Sequence, residues 1–507
     1  MTKRSTAATI IAVALAAAVM LPTTSSLAAT KKKTTKKPTK TTKVVATTAA
    51  ADTVAAAPPS ANPCTAKPDT SLEAVYGTNA GWAKIAYDCA AAKPMKATGD
   101  PVTIGFQNPE GDPAGSFPEY RIAAQAAEQF INNELGGIGA DYAAGKPGRP
   151  IKIEVCSMLI TPGDSQKCAN ELAAKKVFAV YSTLNFFGNH FATYNAAKIP
   201  VVVGTPISPL DFTAPGTYAI GGGGGCLGVH TGLIEFVTND LKARNVAVPW
   251  ANTPPGVFCY NDLEKKPLNV LNGTTSATDN KAALTIPSLK HIGVPILPGQ
   301  ADVTPQAQQV LDFKPDAIVF SAQGADCWTF VSSLKKLGWT AAKIPTVFSG
   351  ACLDDVKIKE AGDAAKGLYF IGAVPITQTA VLKGLLKQES ELYLTKSVQY
   401  GSAAPTKGFA TQGFLGIMTL WELASEASKG NPATLTGQAV EDAIAKTAGH
   451  HAFGATPLDC KAAAAPYITV CQSAVTATQW NGTGYDVKRS NFSGLYLIKG
   501  TKLDLGS

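Results

Sequence analysis

The 507-residue chain has only five histidines, and no two of its cysteines form a C-x-x-C pair. Clustered zinc ligation therefore has no support. His450 and His451 are adjacent, so on a helix or strand they would not share a face as paired ligands do, and both are expected at the surface. The expectation is no metal and no cofactor. There is no G-x-S-x-G elbow to present a nucleophilic serine. No Gly-Lys-Ser or Gly-Lys-Thr follows the run Gly221 to Gly225, and Glu235 and Asp240 come too soon to serve as the ribose-binding acid of a dinucleotide fingerprint. The run is expected to be a flexible crossover. Beyond the N-terminus no apolar stretch approaches the ~20 residues of a membrane span. No acidic residue offsets Lys3, Arg4 and the seven lysines between Lys31 and Lys43, which supply nine positive charges against a formal total of +8. The remainder is close to neutral, which argues against nucleic acid as a partner. No aromatic residue occurs from Ala29 to Pro63. That stretch of Lys, Thr, Ala and Pro has nothing to bury and reads as a disordered linker over 30–63.

The N-terminus carries Lys3 and Arg4, an apolar run from Ala7 to Leu21, and small residues to Ala29. This is the order of a secretory signal peptide over 1–29. The first cysteine, Cys64, follows Ala61, Asn62 and Pro63 and lacks the lead of a lipoprotein. The mature protein is expected to be extracytoplasmic, soluble and non-lipidated, its basic tail able to rest against anionic envelope polymers. Ten cysteines beyond an export signal imply disulfides. Sequence does not fix their connectivity. Sequential pairing is the working expectation: Cys64 with Cys89, Cys156 with Cys168, Cys226 with Cys259, Cys327 with Cys352, and Cys460 with Cys471.

After an N-terminal extension over 64–99, β-branched runs alternate with alanine-rich helical stretches. Strands are expected at 102–106, 151–156, 177–181 and 200–203, then at 246–250, 294–297, 317–321, 345–348 and 368–371. Ser116 with Glu119 forms a capping-box pattern ahead of a helix marked by Tyr120, Ala123, Ala127, Phe130 and Ile131. Alternation of this kind means crossover units and parallel sheets, and two series over about 400 residues mean two α/β lobes. The expected division is 100–224 with 375–453 in the first lobe and 225–374 with 454–507 in the second. Open α/β sheets bind ligands in the loops after their strands. Those loops hold Gln107 and Asn108, with Ser116 close behind, then Ser182, Thr183 and Asn185, then Thr205, Pro206 and Ser208. They offer hydroxyls, amides and helix N-termini to a small carboxylate-bearing molecule, although Ser116, Thr183 and Ser208 also suit plain helix capping.

Ile104-Gly105-Phe106, the stretch Glu134-Leu135-Gly136-Gly137-Ile138, Cys168-Ala169-Asn170-Glu171-Leu172, Ile199-Pro200-Val201-Val202 and Gly204-Thr205-Pro206 occur in an order that resembles the leucine/isoleucine/valine-binding protein family. The resemblance covers most of residues 100–455. It implies a type I periplasmic-binding fold, two lobes joined by three crossovers near Gly224, Val374 and Phe453, with a small-molecule ligand closed between them for an ABC permease and no catalysis. It also implies that Ser182 or Thr183 and Thr205 hold a ligand carboxylate, with further groups from 253–256 and 323–326, including Thr253, Gln323 and Asp326. Where the amino-acid binders carry an acid for the ligand ammonium, this chain has Ser349-Gly350-Ala351-Cys352, which leaves Asp326 or Asp354 as substitutes and opens the site to an amide or related carboxylate. The rival expectations are a sensory or structural envelope module of the same fold and an exported hydrolase.

Overall fold

A computed structural model describes residues 62–113, 115–274, 285–463 and 465–499. The expected signal peptide and nearly all of the Lys-rich linker lie outside the described residues. Two sheets organise the rest. The first contains β1 (Val102–Pro109), β2 (Ile151–Met158), β3 (Ala179–Leu184), β4 (Val201–Thr205) and β5 (Thr217–Ala219), all parallel, in the order β2-β1-β3-β4-β5. The second contains β6 (Asn245–Ala251), β7 (Lys290–Ile296), β8 (Ala317–Phe320), β9 (Thr346–Ser349), β10 (Tyr369–Gly372), β11 (Val475–Trp480) and β12 (Tyr485–Phe492). Its order is β12-β11-β10-β9-β8-β6-β7. From β6 to β10 the strands repeat the topology of the first sheet, and the antiparallel pair β11 and β12 extends the edge beyond β10.

The same-sheet parallel connections require helices on both faces, and the innermost strands are accordingly buried along their whole length. All six residues of β3 are buried, as are all four of β8 and of β9. The helix Ala410–Ala427 is apolar on nearly every side and buried along most of its length. It lies against the helix Pro118–Asn133 and against β3 at distances only glycine permits: a Cβ on Gly413 would strike the Tyr120 carbonyl of that helix, and one on Gly416 the Tyr181 side chain of β3. The N-terminal extension joins the same core. Its helix Ala80–Ala92 sets Trp82 5.2 Å from Trp421, ring centroid to centroid.

The chain leaves the first sheet at Gly221 to Gly225, a run that is tightly packed as well as conformationally permissive. Gly223, Gly224 and Gly225 have positive φ, and side chains on Gly221 and Gly225 would collide with the carbonyls of Gly204 and Pro206. It returns after β10, and crosses a third time just before β11. That third passage lies later than the expected position near Phe453. Thr469 and Cys471 still bond to Ala219 beside the first sheet, and Gln472 donates to the Ile220 carbonyl at 2.7 Å.

Two further expectations are corrected. The helix after β1 begins at Pro118 with Phe117 at its cap. Proline is favoured at the first helical position and disfavours helical backbone at the residue before it, so the start moves past Ser116, which is exposed and accepts from the Gly111 N–H at 2.9 Å. His450 and His451 are not surface residues. Both are buried, and each ring is held by carboxylates from the helix Ala410–Ala427. The structure joins the cysteines as five disulfides in sequential order. Among the described residues no helix is long and apolar enough to cross a membrane.

Candidate functional site

The loops at the C-terminal ends of the two sheets, together with the first two crossovers, enclose a cleft of about 230 Å³. From the first sheet's side come Phe186, Thr205, Ile207, Phe409 and Gln412; from the second come Thr253, Ser321, Gln323, Asp326 and Ser349; the crossovers contribute Gly222, Gly225 and the run Ala373 to Gln378. The wall alternates hydroxyl and amide groups with apolar patches, a composition suited to a small molecule with a few polar groups and some apolar surface. Gln378 is notable for an amide whose nitrogen and oxygen are both buried without a hydrogen-bond partner. A ligand in the cleft is a natural partner for such a group, because a buried unpaired amide is costly.

Of the residues singled out from sequence, Thr205, Thr253, Gln323 and Asp326 line this cleft. Thr205 is held by Tyr120, whose hydroxyl lies 3.1 Å from its Oγ1. Thr253 caps the helix Pro254–Tyr260, accepting from the Gly256 N–H at 3.1 Å. Asp326 accepts from the Gly299 N–H at 3.0 Å, and burial raises its pKa despite that bond. Pro206, beside Thr205, is absent from the wall and packs against the glycine crossover. Ser349, Gly350 and Ala351 line the cleft where an acid was missing from the sequence, so Asp326 is the lining carboxylate among the described residues.

Gln107, Asn108, Ser182, Thr183 and Asn185 are placed elsewhere: all five are fully buried behind the wall. Thr183 donates to the Asn108 side chain at 2.7 Å, and Asn108 in turn donates to the Phe117 carbonyl at 2.9 Å. Ser182 donates to Asn185 at 2.6 Å, and Asn185 to Asp211 at 2.7 Å. The other oxygen of Asp211 accepts the N–H groups of Ile207 and Ser208, each at 2.7 Å. Burial raises the Asp211 carboxyl to about 7 against these bonds. Gln107 accepts from Tyr194 at 2.7 Å. This chain of polar contacts fixes the loops that present Phe186, Thr205 and Ile207. The expectation that Ser182 or Thr183 meets a ligand directly is thereby replaced by a supporting role, since their hydroxyls are already committed inside the lobe.

Sequence reasoning passed over His230. It stands on the helix Gly225–Asn239, immediately after the first crossover, and lines the cleft. Its Nδ1 lies 2.8 Å from Oε1 of the wholly buried Glu264 and 3.1 Å from the Ser321 hydroxyl. The trio has the residue types of a hydrolytic triad, but the acid and the serine meet the same ring nitrogen. A triad needs them on opposite nitrogens, so that the ring passes a proton between them. Nor is there a metal centre here. Cys226 and Cys259 come close to His230, yet their sulfurs are bonded to each other.

Two lobes of the same sheet topology, joined by repeated crossovers around a ligand-sized cleft, decide the architecture. The chain has the type I periplasmic-binding fold. Residues 268–466 match the sequence model of the periplasmic binding protein family. Solved structures that share this periplasmic-binding fold include an extracellular ligand-binding receptor from Rhodopseudomonas palustris HaA2, with a TM-score of 0.58 at 13% identity over 77% of this chain and 100% of that one. The leucine-binding protein LivK from Thermotoga maritima superposes with a TM-score of 0.54 at 14% identity over 77% of this chain and 98% of its own. The branched-chain amino acid transporter binding protein LivJ from Streptococcus pneumoniae, solved with isoleucine, gives 0.53 at 17% identity over 77% and 99%. No curated protein sequence matches the chain.

Proposed function

We propose that this chain is an extracytoplasmic solute-binding protein that captures a small carboxylate- or amide-bearing ligand between its lobes and hands it to an ABC permease, without chemical turnover. The observation that carries the reading is the interlobe cleft, with walls from both lobes and from two crossovers and with the buried, unpartnered amide of Gln378 in its lining. A ligand touching both walls favours a closed arrangement by contacts that an open one does not offer. The five disulfides and the signal-like N-terminus fit an oxidising compartment outside the cytoplasm.

Titration calorimetry and small-angle scattering with a panel of branched-chain amino acids, their amides and related carboxylates test this reading. Binding heat together with compaction of the particle is the expected result for at least one member. A panel that gives neither heat nor compaction counts against it. Recovery of the bound compound unchanged after prolonged incubation is expected, and its hydrolysis points instead to an enzyme.

A further inference from the structure

We propose that the Nε2 edge of His230 is the cleft's contact for a carboxylate oxygen of the ligand, with Glu264 as the positioning residue behind it. The proposal rests on the reading of the cleft as a ligand site and assigns a charge to what it takes. Nδ1 of His230 is committed to Glu264 and Ser321, whereas Nε2 has no hydrogen-bond partner among the described residues and the ring lines the cleft. Glu264 is fully buried, its Oε2 lacks a hydrogen-bond partner, and burial raises its pKa despite the nearby imidazole. A carboxyl so placed keeps a proton between its Oε1 and Nδ1. Any second ring proton then sits on Nε2, facing the cleft as a donor.

The hydroxyls and amides of the wall can also donate, but they carry no charge. Among the described residues no lysine or arginine lines the cleft, so His230 is the described lining side chain able to carry positive charge, and Asp326 the described lining carboxylate. The charged and titratable groups around the pair are accounted for. Tyr260, from the helix packed beside it, is pushed up to about 12 by burial and by the charge of Glu264. Glu235, on the same helix as His230, is paired with Arg489 at 2.8 Å. Asp262 is paired with Lys266.

Losing one proton from the His230–Glu264 pair leaves Nδ1–H on Glu264 and a bare lone pair on Nε2, which repels a carboxylate. Affinity for a carboxylate therefore falls as pH rises past that loss, by about tenfold per pH unit, while affinity for an uncharged isostere does not. Isovalerate and isovaleramide share one branched skeleton and differ in this charge. Their binding to the purified chain is to be measured by calorimetry from about pH 5.5 to about pH 9, alongside nitrogen NMR of isotope-labelled histidine. The expected result is a preference for isovalerate at low pH that declines on raising pH, a shift of the His230 Nε2 resonance on adding isovalerate, and a flat pH profile in His230→Gln. The Nε2 resonance of the unmodified chain reads the same contact directly and keeps the test informative where His230→Gln does not fold. A flat preference in the unmodified chain, a decline that survives His230→Gln, isovalerate binding that leaves Nε2 unmoved, or no isovalerate binding at any pH overturns the proposal. Lobe closure by another panel member under those same outcomes leaves the binding-protein reading standing, and loss of closure with every compound removes both.

Discussion

Two imidazole–carboxylate groupings in this molecule use the same chemistry for opposite ends. His451 lies between Glu422, 2.8 Å from Nδ1, and Glu389, 2.9 Å from Nε2, and is enclosed by protein. Glu422 also accepts from Tyr87 of the N-terminal extension at 2.5 Å, and Glu389 from the Gly454 N–H at 2.9 Å. The grouping thus ties extension, helices and the segment after the last long helix into one polar core. His230 has a buried acid on one nitrogen and the cleft on the other. A ring with both edges committed is a structural cross-link; a ring with one edge open is positioned for something that comes and goes. Burial alone would lower the His451 pKa, but Glu422 and Glu389 overcome it and hold the ring at about 10.

The largest expected effect that would break this comparison comes from His451→Ala. It leaves two buried carboxylates without their cation, and a loss of about 3–5 kcal/mol is expected in urea unfolding. A loss under about 1 kcal/mol would show that the two groupings do not differ as described. The same ring predicts a pH dependence. A folded-state pKa of about 10 against an ordinary 6.5 means its stabilisation is fully present below the lower value and fades as pH rises towards the upper. Unfolding midpoints should therefore fall from neutral to alkaline pH, with a flatter slope in His451→Gln.

Next in size is the extension's own anchor. Cys64→Ala with Cys89→Ala removes a bond across 25 residues, for an expected loss of about 2–4 kcal/mol and faster proteolysis within 64–92. At the cleft, His230→Gln should cost about 1 kcal/mol of stability or less, because an amide can still donate to Glu264. Its effect is expected in ligand charge preference instead. Smallest is Gln323→Ala: with its side chain on the cleft wall, unfolding should move within about 0.5 kcal/mol while ligand affinity weakens.

Much of this architecture was legible in the chain. The parallel strands of both lobes lie at or within a few residues of their expected positions, because buried parallel strands are written as short β-branched runs between helix patterns. β5 was missed: Thr217–Ala219 is only three residues long and leaves no such run. Part of the cleft wall was legible too. Thr205 lies on the cleft wall and follows from the rule that ligands gather beyond strand ends, whereas Thr253, Gln323 and Asp326 came from the family resemblance. That rule also collected Ser182 and Thr183, because side-chain direction along a strand end depends on which neighbours claim the hydroxyl. His230 had no local signal. Its acid lies 34 residues away and its serine 91, and only folding brings them to one nitrogen.

Sequence by itself determined the alternation of strand and helix, the two lobes and the glycine-rich crossover, because each depends on patterns within a few residues. It determined too that basic charge resides near the N-terminus. Tertiary structure decided which polar groups are spent inside the lobes and which remain for a ligand. It also turned two neighbouring histidines from expected surface residues into buried ion-pair partners. Those outcomes depend on burial and on distances between residues remote in the chain, which the order of amino acids does not display.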